Sequence, residues 1–479
     1  MTNRNQSSRY ARTALTLVAA LGMSLAYIQY VRLPMPLYAL TSLWCGFQVL
    51  RMARLRSFVL CAFGSAMWAV FTIGWLVVNA EFLNFSGMLT RLAFTDFNNT
   101  SALNALGASL CLFFAVADAT APAFAWHWTR PSPVERSFAR TTALRCVVAG
   151  AALAALTSAG DFIFHASYSG DLTGEAVVQS GGMAMASLML LSFAAVAAAR
   201  GYGMRNLHFA GIAGAIVVVV LTTRFLKGDR GGTLVVSATL FVVWYMSSRL
   251  RPTGRAAAAV CALVGLLTVF QLWGEIRYYV SDYGFVNSVA ESASRGSSQH
   301  WTDVDLLRIQ LIPAAYWHML NVVSLSHDGV QLGGRRIVDL AAMAIPQDVA
   351  AWFGYTRPQT GAWLLAAYRV NSGGLFVLAE AFWSLGIVGA LGAAAGIAFM
   401  GSHIERFVRR NDPIVAMAYI PLVGSVGFAM FYGLQPFART LEMSLAAAWC
   451  LSRLYGRGSK SAASANRKRA WNELPEKTS

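Results

Sequence analysis

The chain has 479 residues, 56% of them hydrophobic and only 13% charged, with a mean hydropathy of +0.51. Soluble domains carry about a quarter charged residues, and here the apolar residues fall in blocks of about 20, the length at which a helix crosses a bilayer core, so a water-soluble globular protein is excluded. The net charge of +16 is scattered between those blocks rather than gathered in a stripe, which excludes nucleic acid as a partner.

Apolar runs read against their polar breaks predict spans at 13–31, 35–50, 57–80, 101–125, 141–159, 180–199, 207–226, 231–248, 256–274, 373–400, 413–433 and 439–455. The expected fold is therefore an all-α, polytopic integral membrane protein of about twelve transmembrane helices. Arg4, Arg9 and Arg12 precede the first run without a small-residue cleavage site, so it is read as a retained helix rather than a signal peptide. With the N terminus inside, 24 cations lie on the cytoplasmic side and 13 on the other, with Arg145 inside a span. The N-in/C-in orientation follows. Four regions result: an N-terminal transmembrane region at 1–274, one large outer loop at 275–372, C-terminal helices at 373–456 and a basic tail at 457–479. The outer loop is too long for a mere connection. Its stretch Asp303 to Val323, interrupted by Pro313, is expected to form a helix lying on or dipping into the outer interface. All six cysteines fall in apolar blocks, with no disulfide or zinc spacing.

Chemistry concentrates on the outer side. Arg224, Lys227, Asp229 and Arg230 crowd the turn between spans seven and eight, followed by Gly231 and Gly232. Cations, permissive glycines and a helix N terminus starting near Gly231 suit a phosphate or pyrophosphate at the membrane surface; the alternative is an interfacial turn with a local ion pair. The outer loop adds Arg335, Arg336, Arg357 and Arg369, with Trp317, Tyr355 and other aromatics. Arginine forks match phosphoryl oxygens and aromatic faces match sugar rings, although a long loop also needs aromatics to pack itself. Glu380 lies about seven residues into an apolar helix, where an ionisable group faces a polar cavity or a cation. Arg439 and Glu442 either pair on one helical face or turn Arg439 toward Arg224 and Arg230. Asp118 and Arg145, at similar depth, read as an ion pair between neighbouring helices; a proton-coupled transporter would use such a carboxylate too. No histidine shows metal-ligand spacing, and His318 and His327 are retained as proton acceptors.

The cationic turn opening into a Gly-Gly helix, the outer loop with Ile345-Pro346 and Arg357-Pro358, and the helix carrying Gly373-Gly374, Glu380, Gly386 and Gly389 together resemble the Wzy-type bacterial O-antigen and exopolysaccharide repeat-unit polymerases. The similarity is clearest from about Ile345 to Gly401, weaker at Arg224 to Leu234, and elsewhere one of topology. The resemblance implies a metal-independent membrane glycosyltransferase without cofactor, in the bacterial inner membrane with its active site facing the periplasm. It would move a growing glycan from undecaprenyl pyrophosphate onto the next lipid-linked repeat unit, with membrane lipids and a chain-length regulator as further partners. On this reading Arg224, Arg230 and Arg439 stabilise the leaving group, Glu380 or His318 takes the acceptor proton, and Lys227, Arg336, Arg357, Arg369, Trp317 and Tyr355 bind substrate. The rival classes are a secondary transporter or flippase, and an O-antigen ligase of similar architecture.

Overall fold

The computed structural model describes residues 3–76, 96–121, 131–158, 174–225, 230–247, 311–334, 336, 361–368 and 374–410, with isolated positions at 352, 354 and between 419 and 453. Among these, every regular element is a helix. In chain order they are α1 (Asn3–Ile28), α2 (Met35–Arg54), α3 (Phe58–Ala69) running into a π-turn at Val70–Gly74, α4 (Asp96–Thr120), α5 (Pro133–Ser158) and α6 (Gly174–Tyr202). Then come α7 (Leu207–Val220) with a π-turn at Leu221–Phe225, α8 (Arg230–Ser247), α9 (Leu311–His327), α10 (Gly361–Tyr368) and α11 (Val377–Arg410). Four stretches among the described residues are long and apolar enough to cross a membrane: Ser7–Ile28, Asp96–Thr120, Pro133–Leu156 and Val377–Phe407. The predicted span at 256–274 lies outside the described residues, as does most of those at 413–433 and 439–455.

α4 is the axis of the bundle, with 17 of its 25 residues buried. α1 runs antiparallel to it. The Arg9 guanidinium near the start of α1 donates to the Ala121 carbonyl at 2.8 Å, just past the end of α4, while Tyr30 past the other end of α1 packs on Phe97 near the start of α4. α2 runs parallel to α4: Tyr38 Oη donates to Asn104 Oδ1 at 2.6 Å, Cys45 meets Cys111, and Arg51 pairs with Asp118. The partners stay 66 or 67 positions apart over nearly four helical turns, the mark of one continuous side-by-side packing. α3 returns beside α2, its Trp68 indole donating to the Ser42 carbonyl at 2.8 Å. α5 and α6 form a second antiparallel pair, joined where Arg140 donates to the Gly201 carbonyl at 2.9 Å and stacks on Tyr202. A reciprocal capping box starts α5, with Ser132 Oγ accepting from Glu135 N and Glu135 Oε2 accepting from Ser132 N.

The outward faces are apolar. On α1, Val18, Leu21 and Leu25 are more than half exposed, as are Leu40, Leu43 and Leu50 on α2. Contiguous exposure of this kind is unfavourable in water and natural in lipid.

Two expectations need correction. The helix expected at the outer interface is α9, and residues 313–325 are buried without interruption. Tyr316 Oη donates to Asn99 Oδ1 of α4 at 2.6 Å, and a Cβ at Gly74 would stand 2.9 Å from Tyr316 Cβ and 3.0 Å from the Ile312 carbonyl oxygen. Its polar residues His318, Asn321 and Ser324 are buried along with the apolar ones, as suits a helix packed among others rather than one lying on an interface, and Pro313 sits in the first turn, where its missing N–H costs nothing. The Asp118 carboxylate pairs with Arg51 of α2 instead of Arg145, which is exposed on α5. α2 lies directly alongside α4, so the nearer guanidinium takes the carboxylate.

Candidate functional site: a broken helix locked by a buried ion pair

The predicted span at 373–400 is not one straight helix. Leu385 (φ −139°, ψ 23°) and Gly386 (φ 61°, ψ −149°) leave helical geometry inside α11, dividing it into a short segment, 377–384, and a long one, 387–410. The Gly386 conformation is one that essentially only glycine adopts. Residues 375–384 are all buried, whereas Val388 beyond the break is 69% exposed, so the break is where the chain leaves the protein interior for the lipid-facing surface.

Glu380 lies in the middle of the short segment and is fully buried. Its Oε1 accepts from Arg336 Nε at 2.9 Å and Nη2 at 2.8 Å, and Arg336 is itself only 3% exposed. Its Oε2 accepts from Leu434 N at 2.6 Å. Three chain segments distant in sequence are thereby tied to one carboxylate: the turn after α9, the start of α11, and the turn at 430–434. Backbone bonds reinforce each junction. Leu332 N donates to Trp383 O at 3.1 Å, Val377 N donates to Met430 O at 2.8 Å, and the Trp383 indole donates to Val330 O at 2.8 Å. Gly433 has φ +106°, and a Cβ there would stand 2.6 Å from Glu380 Oε2, so both backbone conformation and proximity to the carboxylate demand glycine.

This junction lies far from the bundle end marked by Arg9. Phe382 packs edge-on against Tyr27 at 5.7 Å between ring centroids, and Tyr27 is 18 residues along α1 from Arg9, or roughly 27 Å. The basic end carries its own cluster, in which the last carbonyls of α4 accept from Arg9 and from Arg406 of α11, the latter through Nε to Thr120 O at 2.9 Å. Cations at a helix C terminus complement its dipole. Close by, Glu405 is buried and its Oε1 accepts from Tyr419 Oη at 2.9 Å and from Val59 N at 3.2 Å, at the N terminus of α3.

The sequence-predicted residues separate accordingly. Glu380 and Arg336 meet, although they entered as members of different groups. Trp317 and His318 lie on α9 and are buried, at 8% and 3% exposure. Trp317 is packed into the core, so the expectation that it offers a face to a sugar ring does not hold. Arg224 falls in the π-turn that ends α7, and Arg230 opens α8. Lys227, Tyr355, Arg357, Arg369 and Arg439 lie outside the described residues. Both Glu380 oxygens are engaged and the side chain is shut from solvent, a geometry that suits an anchor better than a proton acceptor. Sequence reasoning missed Leu434 and Gly433, whose contribution is a backbone N–H and an unusual φ. It also missed the Arg9, Arg51 and Arg406 convergence, which no local spacing encodes. Glu405 could have been found, as an acid close to the end of an apolar run. Among the described residues, no three His, Cys, Asp or Glu side chains gather as a metal site requires.

Comparison with protein-family models, curated proteins and solved structures finds no match to this chain.

Proposed function

We propose that the protein is a membrane-embedded polysaccharide repeat-unit polymerase, moving a glycan from undecaprenyl pyrophosphate onto the next lipid-linked repeat unit at the periplasmic face. The observation that carries this reading is the Arg336–Glu380 pair, buried remote from the basic end and joining three segments of the outer and C-terminal regions. An ion pair at such depth is costly unless it specifies a geometry. The geometry it holds is adjacent in sequence to the remaining cations. Arg335 precedes Arg336, Arg369 follows Tyr368, whose ring packs edge-on against Trp383 at 6.2 Å, and Arg439 is two residues after the buried Phe437.

Cleavage of a glycosyl–pyrophosphate bond develops negative charge on the departing phosphoryl oxygens, and fixed guanidinium groups in a water-poor site stabilise it. Arg224, Arg230 and Arg439 are assigned that work, and Arg357 and Arg369 the second phosphate. Lys227 and Tyr355 complete the substrate contacts. The Arg336–Glu380 pair holds the frame, and His318 is the remaining candidate to take the acceptor proton. A broken helix is also a transporter device, which gives a flippase or secondary transporter the second place.

The purified full-length chain in detergent, with lipid-pyrophosphate-linked repeat units and no gradient, should elongate glycan. Arg224→Ala and Arg230→Ala should abolish long products at normal protein levels. Full-length ladders from both variants would remove the site, and substrate accumulation in sealed vesicles without elongation would favour the transporter. Acceptance of a lipid core in place of a repeat unit would indicate a ligase.

A further inference from the structure

The faces of α2 are divided among its neighbours. Tyr38 and Cys45 turn to α4, Ser42, Gly46 and Val49 meet α3, and Leu40, Leu43, Phe47 and Leu50 are exposed. Trp44, Gln48 and Arg51, spaced i, i+4 and i+7, share the strip that remains. It borders α4 on the side away from α3. There α1 lies, since Arg51 is within electrostatic reach of Arg12 and Arg9.

Along this strip the hydrogen-bonding groups are unspent. Gln48 is 0% exposed, and neither its Oε1 nor its Nε2 finds a partner among the described residues. One turn outward the Trp44 Nε1, and one turn inward the Arg51 Nε, are buried without an acceptor among the described residues; Arg51 serves Asp118 through Nη2. One acceptor and three donor nitrogens therefore line about 10 Å of helix. Polar groups left dry at membrane depth are costly, and buried ones are met by protein or by ordered water. The ligand must both donate and accept, and it must fit beside a side chain closed to solvent, which suits water. Arg51, with 19% of its side chain exposed, marks the way in. We propose that water molecules occupy the seam between α1, α2 and α4, entering at Arg51, anchored by both ends of the Gln48 amide and ending at Trp44. The protein is thereby hydrated about 10 Å inward from its basic end, about a third of a bilayer core.

The test is hydroxyl-radical labelling by X-ray radiolysis of the full-length chain in phosphatidylcholine vesicles, with a radical scavenger in the bulk buffer and oxidation read residue by residue by mass spectrometry. Radicals formed from bound water oxidise the side chain beside it even where bulk solvent does not reach. Trp68 and Trp383 are the internal references, because their indoles already donate to the Ser42 and Val330 carbonyls at 2.8 Å. Trp44 should be oxidised severalfold faster than either. Gln48→Leu removes both amide anchors and should bring the Trp44 rate down to that of Trp68. Should that variant fail to fold, the rates in the unmodified chain decide by themselves. Equal rates at Trp44 and Trp68 in the unmodified chain, or a fast Trp44 that Gln48→Leu leaves unchanged, would overturn the proposal.

Discussion

Replacing Glu380 tests the central junction directly. Its carboxylate accepts three hydrogen bonds, two from Arg336 and one from Leu434 N, at 2.6–2.9 Å, and no water can substitute at a side chain with 0% exposure. Glu380→Ala deprives a guanidinium that is 3% exposed of its carboxylate, and removing one partner of a buried pair costs about 3–5 kcal/mol. Arg336→Met strands the carboxylate instead, at a similar cost of about 3–5 kcal/mol. The double variant Arg336→Met/Glu380→Leu removes both charges of the pair and leaves the Leu434 N–H without its carboxylate, about 1–3 kcal/mol. The two changes should therefore be strongly non-additive, with a coupling of about 3 kcal/mol or more. The assay is unfolding in mixed micelles followed by far-ultraviolet circular dichroism for the unmodified chain and the three variants. Additivity within about 0.5 kcal/mol would refute the reasoning. Glycan elongation provides a second readout: an anchor predicts that the double variant is more active than either single one, whereas a proton acceptor at Glu380 predicts that it is as inactive as Glu380→Ala.

Gly433→Ala forces a side chain to a φ of +106° and sets its Cβ against Glu380 Oε2; the backbone alone costs about 1–2 kcal/mol, so its thermal midpoint should fall and should fall less when combined with Glu380→Leu. Asp118→Asn removes the carboxylate that Arg51 pairs with at the C terminus of α4 and should destabilise, whereas Arg145→Ala should not, because that guanidinium is exposed; equal effects would return the ion pair to Arg145. Cys45 and Cys111 are buried against each other between α2 and α4, so maleimide should modify neither until the bundle is unfolded, and rapid labelling of the native chain would contradict the parallel packing of those helices.

Membrane residence, helical class and the approximate position of most described helices are legible in the amino-acid sequence, because each depends on local quantities. A block of apolar residues long enough to cross a bilayer must satisfy its backbone internally, and a helix does so whatever surrounds it. Glu380 could also be singled out, since an acid inside an apolar run is conspicuous wherever the run sits. Its partner could not. Arg336 is 44 positions away, and six other cations of the outer region had an equal claim on sequence alone. Nor could sequence tell that the helix around Pro313 is buried on all sides, because apolar content is the same for a core helix and a lipid-facing one. The break at Leu385–Gly386, the turn at Gly433 and the choice of Arg51 over Arg145 by Asp118 are decided only when helices lie side by side. Pairing in a low-dielectric interior goes to the charge that packing brings within hydrogen-bond reach, and that distance is a property of the whole bundle.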